Sequence, residues 1–260
     1  MRFAIHIRSL APIVPLLLLA GPAQATFHFM EIEKIIGGVG GDPTAQAIQL
    51  KMRTLSQQFL ASQARLVVSD ATGSNPITLI NFASNVVGGT CREILIASAS
   101  FPSKTTPAAV PDYTLTSLIP ASYLAAGSLE FQGVVGPVTY WRVSWGGGSY
   151  TGPGTVSVAN DADGNANPPF GSALPSGGAQ ALEKQTACPS ASTNNAADYA
   201  INSGPVTVTN NAGTSFTVNV LPPGTVPALS PLGLVGLAAT LALVSMPLLS
   251  RLVRRALAPS

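Results

Sequence analysis

Apolar and polar residues alternate in short runs through the middle of the chain, and no run before the C-terminal tail keeps helical periodicity. Alternation at period two is typical of a strand with one buried face, and residues 47–53 show it most clearly. Residues 93–98 are apolar enough for a strand that is covered on both faces. Further strands are predicted at 27–36, 65–69, 77–82, 129–131, 138–145, 180–184 and 206–208.

Segments rich in Gly, Pro, Asn and Ser separate these strands and predict the connections between them. Residues 37–43 form the first turn, residues 70–76 close a hairpin, and residues 146–175 form a long loop. Residues 55–64 are the one segment before the tail whose pattern also fits a helix. The pattern therefore predicts an all-β fold, a sandwich with hairpin connections.

The N-terminus has the three-part layout of a secretory signal peptide. Arg2 and Arg8 form the basic start, and a short apolar core follows them. Ala23 and Ala25 give the small-x-small site that a signal peptidase accepts. We therefore expect cleavage after Ala25 and export of the rest of the chain. The alternative, an uncleaved anchor helix, is disfavoured because the apolar core is so short.

The C-terminal region holds a second apolar segment, residues 231–249, without a charged residue. At 1.5 Å per residue, a helix of about 19 residues just spans a hydrocarbon core. Arg251, Arg254 and Arg255 follow this segment, and such clusters stay on the cytoplasmic side of a membrane. We expect a transmembrane helix here, so the membrane is the first predicted partner; the alternative is a buried core helix.

The residues around the start of this apolar segment have a specific layout. Four of them carry it: Pro227, Leu229, Ser230 and Gly233. With the apolar span and the arginines, they resemble the IPTL-CTERM sorting signals of Gram-negative bacteria, relatives of the PEP-CTERM signals. The chain departs from the family pattern at Val226, Ala228, Pro231 and Leu232. The resemblance implies recognition by a membrane-embedded sorting protease, and it leaves open whether the tail is cleaved or only anchors the chain.

The positive net charge of +2 is due to basic residues in the N-terminal and C-terminal segments. Five of the 13 basic residues lie in the end segments, which leaves eight basic against all 11 acidic residues and a net charge of −3 between them. The basic isoelectric point therefore gives no support to nucleic-acid binding. The middle region, about 200 residues, has the size of one domain.

Two cysteines, Cys91 and Cys188, both lie in the region predicted to be exported. An oxidising compartment allows them to form a disulfide, which we expect because free thiols are uncommon outside the cytoplasm. Closing so long a loop adds up to about 4–5 kcal/mol of stability in the chain-entropy model. The alternative is two unrelated buried thiols.

A set of short segments spread over residues 27–211 shares the order and character of one known domain. The segments are 29–36, 46–50, 94–97, 144–152, 176–183 and 194–200. Together they resemble the lamin-tail-like domain of exported bacterial proteins, and the resemblance implies an immunoglobulin-like β-sandwich. The chain departs from the family at 182–184, where it has Leu-Glu-Lys and the family often has Leu-Gln-Arg.

Five regions follow from these observations. They are a signal peptide at 1–25, a lamin-tail-like β-sandwich at 26–220, a linker with the sorting motif at 221–230, a transmembrane helix at 231–250 and a basic cytoplasmic tail at 251–260. The predicted location is the inner membrane with a periplasmic domain, or the cell surface after sorting, in a Gram-negative-type envelope.

Few residues offer catalytic or metal-binding chemistry. After signal cleavage His28 is the one histidine left, and no Gly-x-Ser-x-Gly motif accompanies it. One histidine and two distant cysteines do not make a zinc site. The glycines of residues 37–41 lack the Lys-Ser/Thr that follows a phosphate-binding loop. We therefore predict a protein that is not an enzyme and that needs no cofactor.

One loop offers a weak calcium motif. Asp161, Asp163 and Asn165 place oxygen ligands at alternate positions, which suits Ca²⁺. The loop does not fit the EF-hand frame, because its Gly is out of place and no nearby Glu completes it. A plain turn rich in Asp and Asn is the favoured interpretation.

Three functional hypotheses remain open. The favoured one is a non-enzymatic envelope or surface protein, structural or adhesive, whose ligand is unknown. The alternative is a carbohydrate- or Ca²⁺-binding module that uses this loop and the aromatic residues Tyr140, Trp141, Trp145 and Tyr150. The third, a hydrolase on a β-sandwich, requires a cleft that holds two carboxylates.

Overall fold

A computed structural model describes residues 27–154, 167–190, 195–202 and 204–219. Regular structure in these ranges is almost entirely β. In chain order the strands are Met30–Ile36 (β1), Ala47–Met52 (β2), Ala64–Ser69 (β3), Ile77–Asn81 (β4), Glu93–Ala97 (β5), Thr105–Thr106 (β6), Tyr113–Thr114 (β7), Gly127–Gly133 (β8), Thr139–Trp145 (β9), Leu182–Lys184 (β10), Tyr199–Ile201 (β11), Thr207–Thr209 (β12) and Ser215–Val218 (β13). The helices are short: α1 at Asn195–Asp198 and 3₁₀ turns at Phe101–Lys104, Ala121–Tyr123 and Gly147–Ser149.

The strands form three sheets. A six-stranded sheet has the order β11-β10-β1-β2-β5-β7, a four-stranded sheet has the order β4-β3-β8-β9, and a three-stranded sheet has the order β12-β13-β6. Neighbouring strands are antiparallel except β5 and β7, which run parallel. The sequence prediction of a mostly β fold is confirmed.

Successive side chains of a strand point to opposite faces of its sheet. In the central strands of the six-stranded sheet, both sets of side chains are buried, each in a different core. Ile94 and Ile96 of β5 belong to a large core shared with the four-stranded sheet. Leu95 and Ala97 belong to a second core, which they share with residues of β12 and β13 such as Phe216. The prediction that this strand is covered on both faces is confirmed, and the three-stranded sheet supplies the second cover.

Residues 55–64, whose pattern also fits a helix, do not form one. Turns and irregular chain occupy residues 55–63, and Ser56 and Ser62 have φ values of 64° and 57°. Left-handed backbone at two positions cannot continue a right-handed helix. Most of the predicted strands agree with the structure to within a few residues, whereas β6, β7, β11 and β13 were not predicted from the pattern.

No helix within the described ranges is long and apolar enough to cross a membrane. The predicted signal peptide and the predicted transmembrane segment at 231–250 lie outside those ranges.

The predicted disulfide is confirmed. Cys91 and Cys188 are joined, with their Cα atoms 5.8 Å apart. The backbone N–H of Cys91 donates to the carbonyl of Met52 at the end of β2, so the bond is attached directly to the central sheet. It closes a sequence separation of 97 residues that contains β5 to β10.

Removal of this disulfide should destabilise the protein strongly. We expect the Cys91→Ser/Cys188→Ser variant to lose about 4–5 kcal/mol of unfolding free energy, because the loop closure no longer restricts the unfolded chain. Urea unfolding followed by tryptophan fluorescence measures the loss, since Trp141 and Trp145 are both fully buried. The wild-type chain after reduction is the matched control and should show the same decrease. Equal urea midpoints for all three samples would contradict the expectation.

Candidate ligand-binding grooves

The calcium motif and the targeting residues predicted from the sequence are outside the part of the chain that the structure describes. Asp161, Asp163 and Asn165 lie outside the described ranges, as do the cleavage and sorting residues, which are Ala23, Ala25, Pro227, Leu229, Ser230, Gly233, Arg251, Arg254 and Arg255. Among the residues that are described, no group of three His, Cys, Asp or Glu side chains is placed to hold a metal ion.

Three of the four aromatic residues proposed to contact a ligand are core residues instead, so that part of the sequence interpretation is wrong. Trp141 and Trp145 are 0% exposed and Tyr150 is 7% exposed. The period of two explains the tryptophans, because alternate residues of β9 face the large core. The indole N–H of Trp141 donates to the Tyr199 hydroxyl at 2.9 Å, and that of Trp145 donates to the Tyr123 carbonyl at 2.9 Å. Tyr140 alone of the four is partly accessible.

A buried ion pair joins β1 to β10. Lys184 Nζ lies 2.9 Å from Glu31 Oε2, and the two side chains are 1% and 2% exposed. The ammonium group also lies 5.3 Å from the centre of a Trp141 ring, which suits a cation–π contact. Burial raises the pKa of the Glu31 carboxyl, while Lys184 acts in the opposite direction. This pair holds the charge of Glu31 within the core.

All five glutamates of the chain have a cationic partner. The pairs are Glu31–Lys184, Glu33–Lys51, Glu93–Lys51, Glu130–Arg142 and Glu183–Lys34. An ion pair fixes the orientation of a carboxylate, which suits a structural role.

The first groove, which we call the aromatic groove, lies beside the end of β8 and has a volume of about 510 Å³. Its lining residues combine rings with small polar groups: Phe27, His28, Ser62, Gln63, Gly133, Val135 and Tyr140. Val135 is 90% exposed at its rim. A groove of this size and mixed character is typical of a site for a small organic ligand.

A β-bulge places Tyr140 in the aromatic groove. Thr139 is opposite Gln132 and Trp141 is opposite Phe131, so Tyr140 is the extra residue of β9. Bulges commonly redirect a side chain in this way. The Tyr140 ring stacks on the His28 ring, with centroids 4.2 Å apart and planes 17° apart. Burial lowers the pKa of His28, so its neutral, stacked form is favoured near neutral pH.

The second groove, which we call the arginine groove, lies on the outer face of the four-stranded sheet and has a volume of about 440 Å³. Arg65 of β3, Glu130 and Gln132 of β8 and Arg142 of β9 line it. It contains one carboxylate, and the aromatic groove contains none. Neither groove therefore provides the carboxylate pair that the hydrolase hypothesis requires.

Hydrogen bonds connect the polar side chains of the arginine groove. Arg142 Nε donates to Glu130 Oε1 at 2.9 Å, and the Thr139 hydroxyl donates to Glu130 Oε2 at 2.8 Å. The Gln132 amide also donates to Glu130 Oε2, so its Oε1 is free to accept from Arg65 Nε at 3.1 Å. The network fixes the Gln132 amide and, through it, the Arg65 guanidinium.

The chain matches no family model, and no curated protein or solved structure matches it significantly. The likeness to lamin-tail-like domains and to IPTL-CTERM signals therefore stays a prediction from the sequence.

Replacement of Lys184 should show how much the Glu31–Lys184 ion pair contributes to the stability of the fold. We expect Lys184→Met to lower the unfolding free energy by about 3–5 kcal/mol at pH 7, because Glu31 is left buried without its partner. The loss should shrink as the pH falls. The pKa of Glu31 is raised in the folded state. As the pH falls, Glu31 is therefore protonated in the folded protein at a higher pH than in the unfolded chain, and its buried charge is removed.

The matched control is Glu31→Gln/Lys184→Met, which removes both charges and should recover most of the lost stability. Urea unfolding at pH 5 and pH 8 measures all three proteins. If the single and the double variant were equally destabilised at both pH values, the ion pair would not be the cause.

Proposed function

We propose that this chain is an exported, non-enzymatic envelope or surface protein whose β domain acts outside the cytoplasm as a structural or adhesive module. The observation that carries the proposal is the disulfide between Cys91 and Cys188. Disulfides persist in oxidising compartments and are rare in the cytoplasm. The bond agrees with the signal-type N-terminus and its predicted cleavage after Ala25.

The C-terminal region completes the proposal. The apolar segment at 231–250 and the following arginines would hold the chain in the membrane, with the domain on the outer side. Signal peptidase and, where the tail is processed, a membrane sorting protease would be its processing partners. The finer fold assignment is part of the same proposal, namely an immunoglobulin-like domain of lamin-tail type extended by the three-stranded sheet.

Two observations favour a non-enzymatic role. The glutamates are all engaged in ion pairs, and the two grooves lack a pair of carboxylates. Recognition by side chains fixed on a rigid sheet requires neither an unpaired glutamate nor a pair of carboxylates. We therefore infer binding or scaffolding rather than turnover.

Cell fractionation with mass spectrometry of the mature termini tests the export proposal. We expect an N-terminus at Thr26, a membrane or surface location, and two cysteines that resist alkylation until a reductant is added. An Ala25→Leu variant is the matched control, because a large residue at the cleavage site should block processing and leave the N-terminus intact. A wild-type chain found in the cytoplasm, with both thiols alkylated and its N-terminus uncleaved, would refute the proposal.

Carbohydrate binding is the second candidate function, and the aromatic groove favours it. Sugar rings present apolar faces together with hydroxyl groups. The Tyr140 and His28 rings could pack against such a face, and the side chains of Ser62 and Gln63 could bind the hydroxyls. The groove holds no charged carboxylate or lysine, so a neutral sugar is the ligand class it suits best.

Tyr140 variants test this second candidate. We expect the full-length chain to bind cellohexaose or another neutral oligosaccharide of a panel, and Tyr140→Ala to weaken that binding roughly tenfold, because one ring face is lost. Tyr140→Phe is the matched control, since it keeps the ring and should keep the binding. Isothermal titration calorimetry measures both. Equal affinity of Tyr140→Ala and wild type, or no binding across the panel, would exclude the aromatic groove as a neutral-sugar site.

A further inference from the structure

The arginine groove holds more positive charge than its own carboxylate can neutralise. Glu130 is paired with Arg142, and both side chains are 7% exposed. Among the described residues, no carboxylate lies within salt-bridge distance of Arg65, which lines the same groove. The groove therefore presents one fixed cation to whatever enters it.

The orientation of Arg65 is set by its neighbour. Its Nε donates to Gln132 Oε1 at 3.1 Å, and Gln132 is itself held by Glu130. A guanidinium has five N–H donors, and the four on its terminal nitrogens make no other hydrogen bond with described residues. Such a planar, preoriented fork matches the two oxygens of a carboxylate.

The rest of the groove suits a polyhydroxylated ligand. Thr78 and Ser69 line the groove with hydroxyl groups that can form hydrogen bonds. Pro76, Pro137 and Pro153 provide apolar surface that can pack against the faces of sugar rings. The lining thus combines one cation, several neutral polar groups and flat apolar patches.

The position of the groove argues against an extended peptide as the ligand. Peptides commonly bind a sheet by pairing with the free backbone groups of an edge strand. β3 and β8 are inner strands of the order β4-β3-β8-β9, so their backbone groups are already paired on both sides. Only side chains are offered to a ligand on this face.

We propose that the arginine groove binds a carboxylate-bearing sugar, a uronic-acid unit of an acidic polysaccharide, with Arg65 paired to the sugar carboxylate. The inference gives the proposed surface module a ligand class and rests on that role. Its binding assay uses the purified chain and does not depend on localisation, so it can fail while the export experiment succeeds.

The test is calorimetric titration of the purified full-length chain with oligogalacturonate at low ionic strength. We expect binding that weakens as salt is added, and a Kd roughly tenfold higher for Arg65→Gln, since a charge-assisted hydrogen bond is lost. Arg92→Gln is the matched control. Arg92 is an arginine outside both grooves that donates to the Asn211 carbonyl, and its replacement should leave the Kd unchanged.

Arg65→Lys gives an independent check, because it keeps the charge but loses the planar fork, and its Kd should lie between those of wild type and Arg65→Gln. Matching unfolding midpoints for the variants would show that the fold is intact. Methyl-esterified oligogalacturonate, which lacks the charge, should not bind.

Three results would overturn the proposal. They are the absence of binding by the wild-type chain, an unchanged Kd in both Arg65 variants, and equal binding of polyglutamate or inorganic phosphate. The last result would assign the groove to acidic peptides or to anions in general.

Discussion

Adjacent residues of β5 send apolar side chains to opposite faces of the six-stranded sheet, so a single cover would leave one of those faces in water. The four-stranded sheet covers one face and the three-stranded sheet covers the other. The remaining features follow from this arrangement. The four-stranded sheet has its inner face committed to the core, and its outer face and end are where the two grooves lie.

The local pattern of apolar and polar residues predicted individual strands better than it predicted how distant strands pair. The strands around Ala47 and Glu93 followed from alternation and from a short apolar run, and the disulfide followed from two cysteines in a region predicted to be exported. The third sheet did not, because only its strand β12 was predicted, while β6 has two residues and β13 has four, so their patterns carry little signal. The pattern at 55–64 also fitted a helix, because left-handed backbone at two serines is not encoded in hydrophobic periodicity.

The candidate sites depended on features that alternation alone cannot supply. Trp141 looked available for a ligand because aromatic residues serve both cores and binding surfaces, and only the strand order showed that it is buried. Tyr140 reaches its groove through a bulge, which no count of alternating residues would place. Arg65 and Glu130 do occupy outward positions of predicted strands, and Gln132 lies just beyond the predicted strand 129–131, but their contact required the pairing of β3 with β8.

The disulfide also has a mechanical consequence for the membrane-anchored chain that we propose. When tension is applied between the chain termini, a covalent cross-link carries the load past the residues it encloses. The 97-residue separation between Cys91 and Cys188 therefore cannot be drawn out, which shortens the maximal extension by roughly 320–350 Å at 3.3–3.6 Å per residue. The strands outside the cross-link can still yield: β1 to β4 on one side, and β11 to β13 on the other. Under load the molecule would thus behave as a short tether with a fixed middle and two extensible ends.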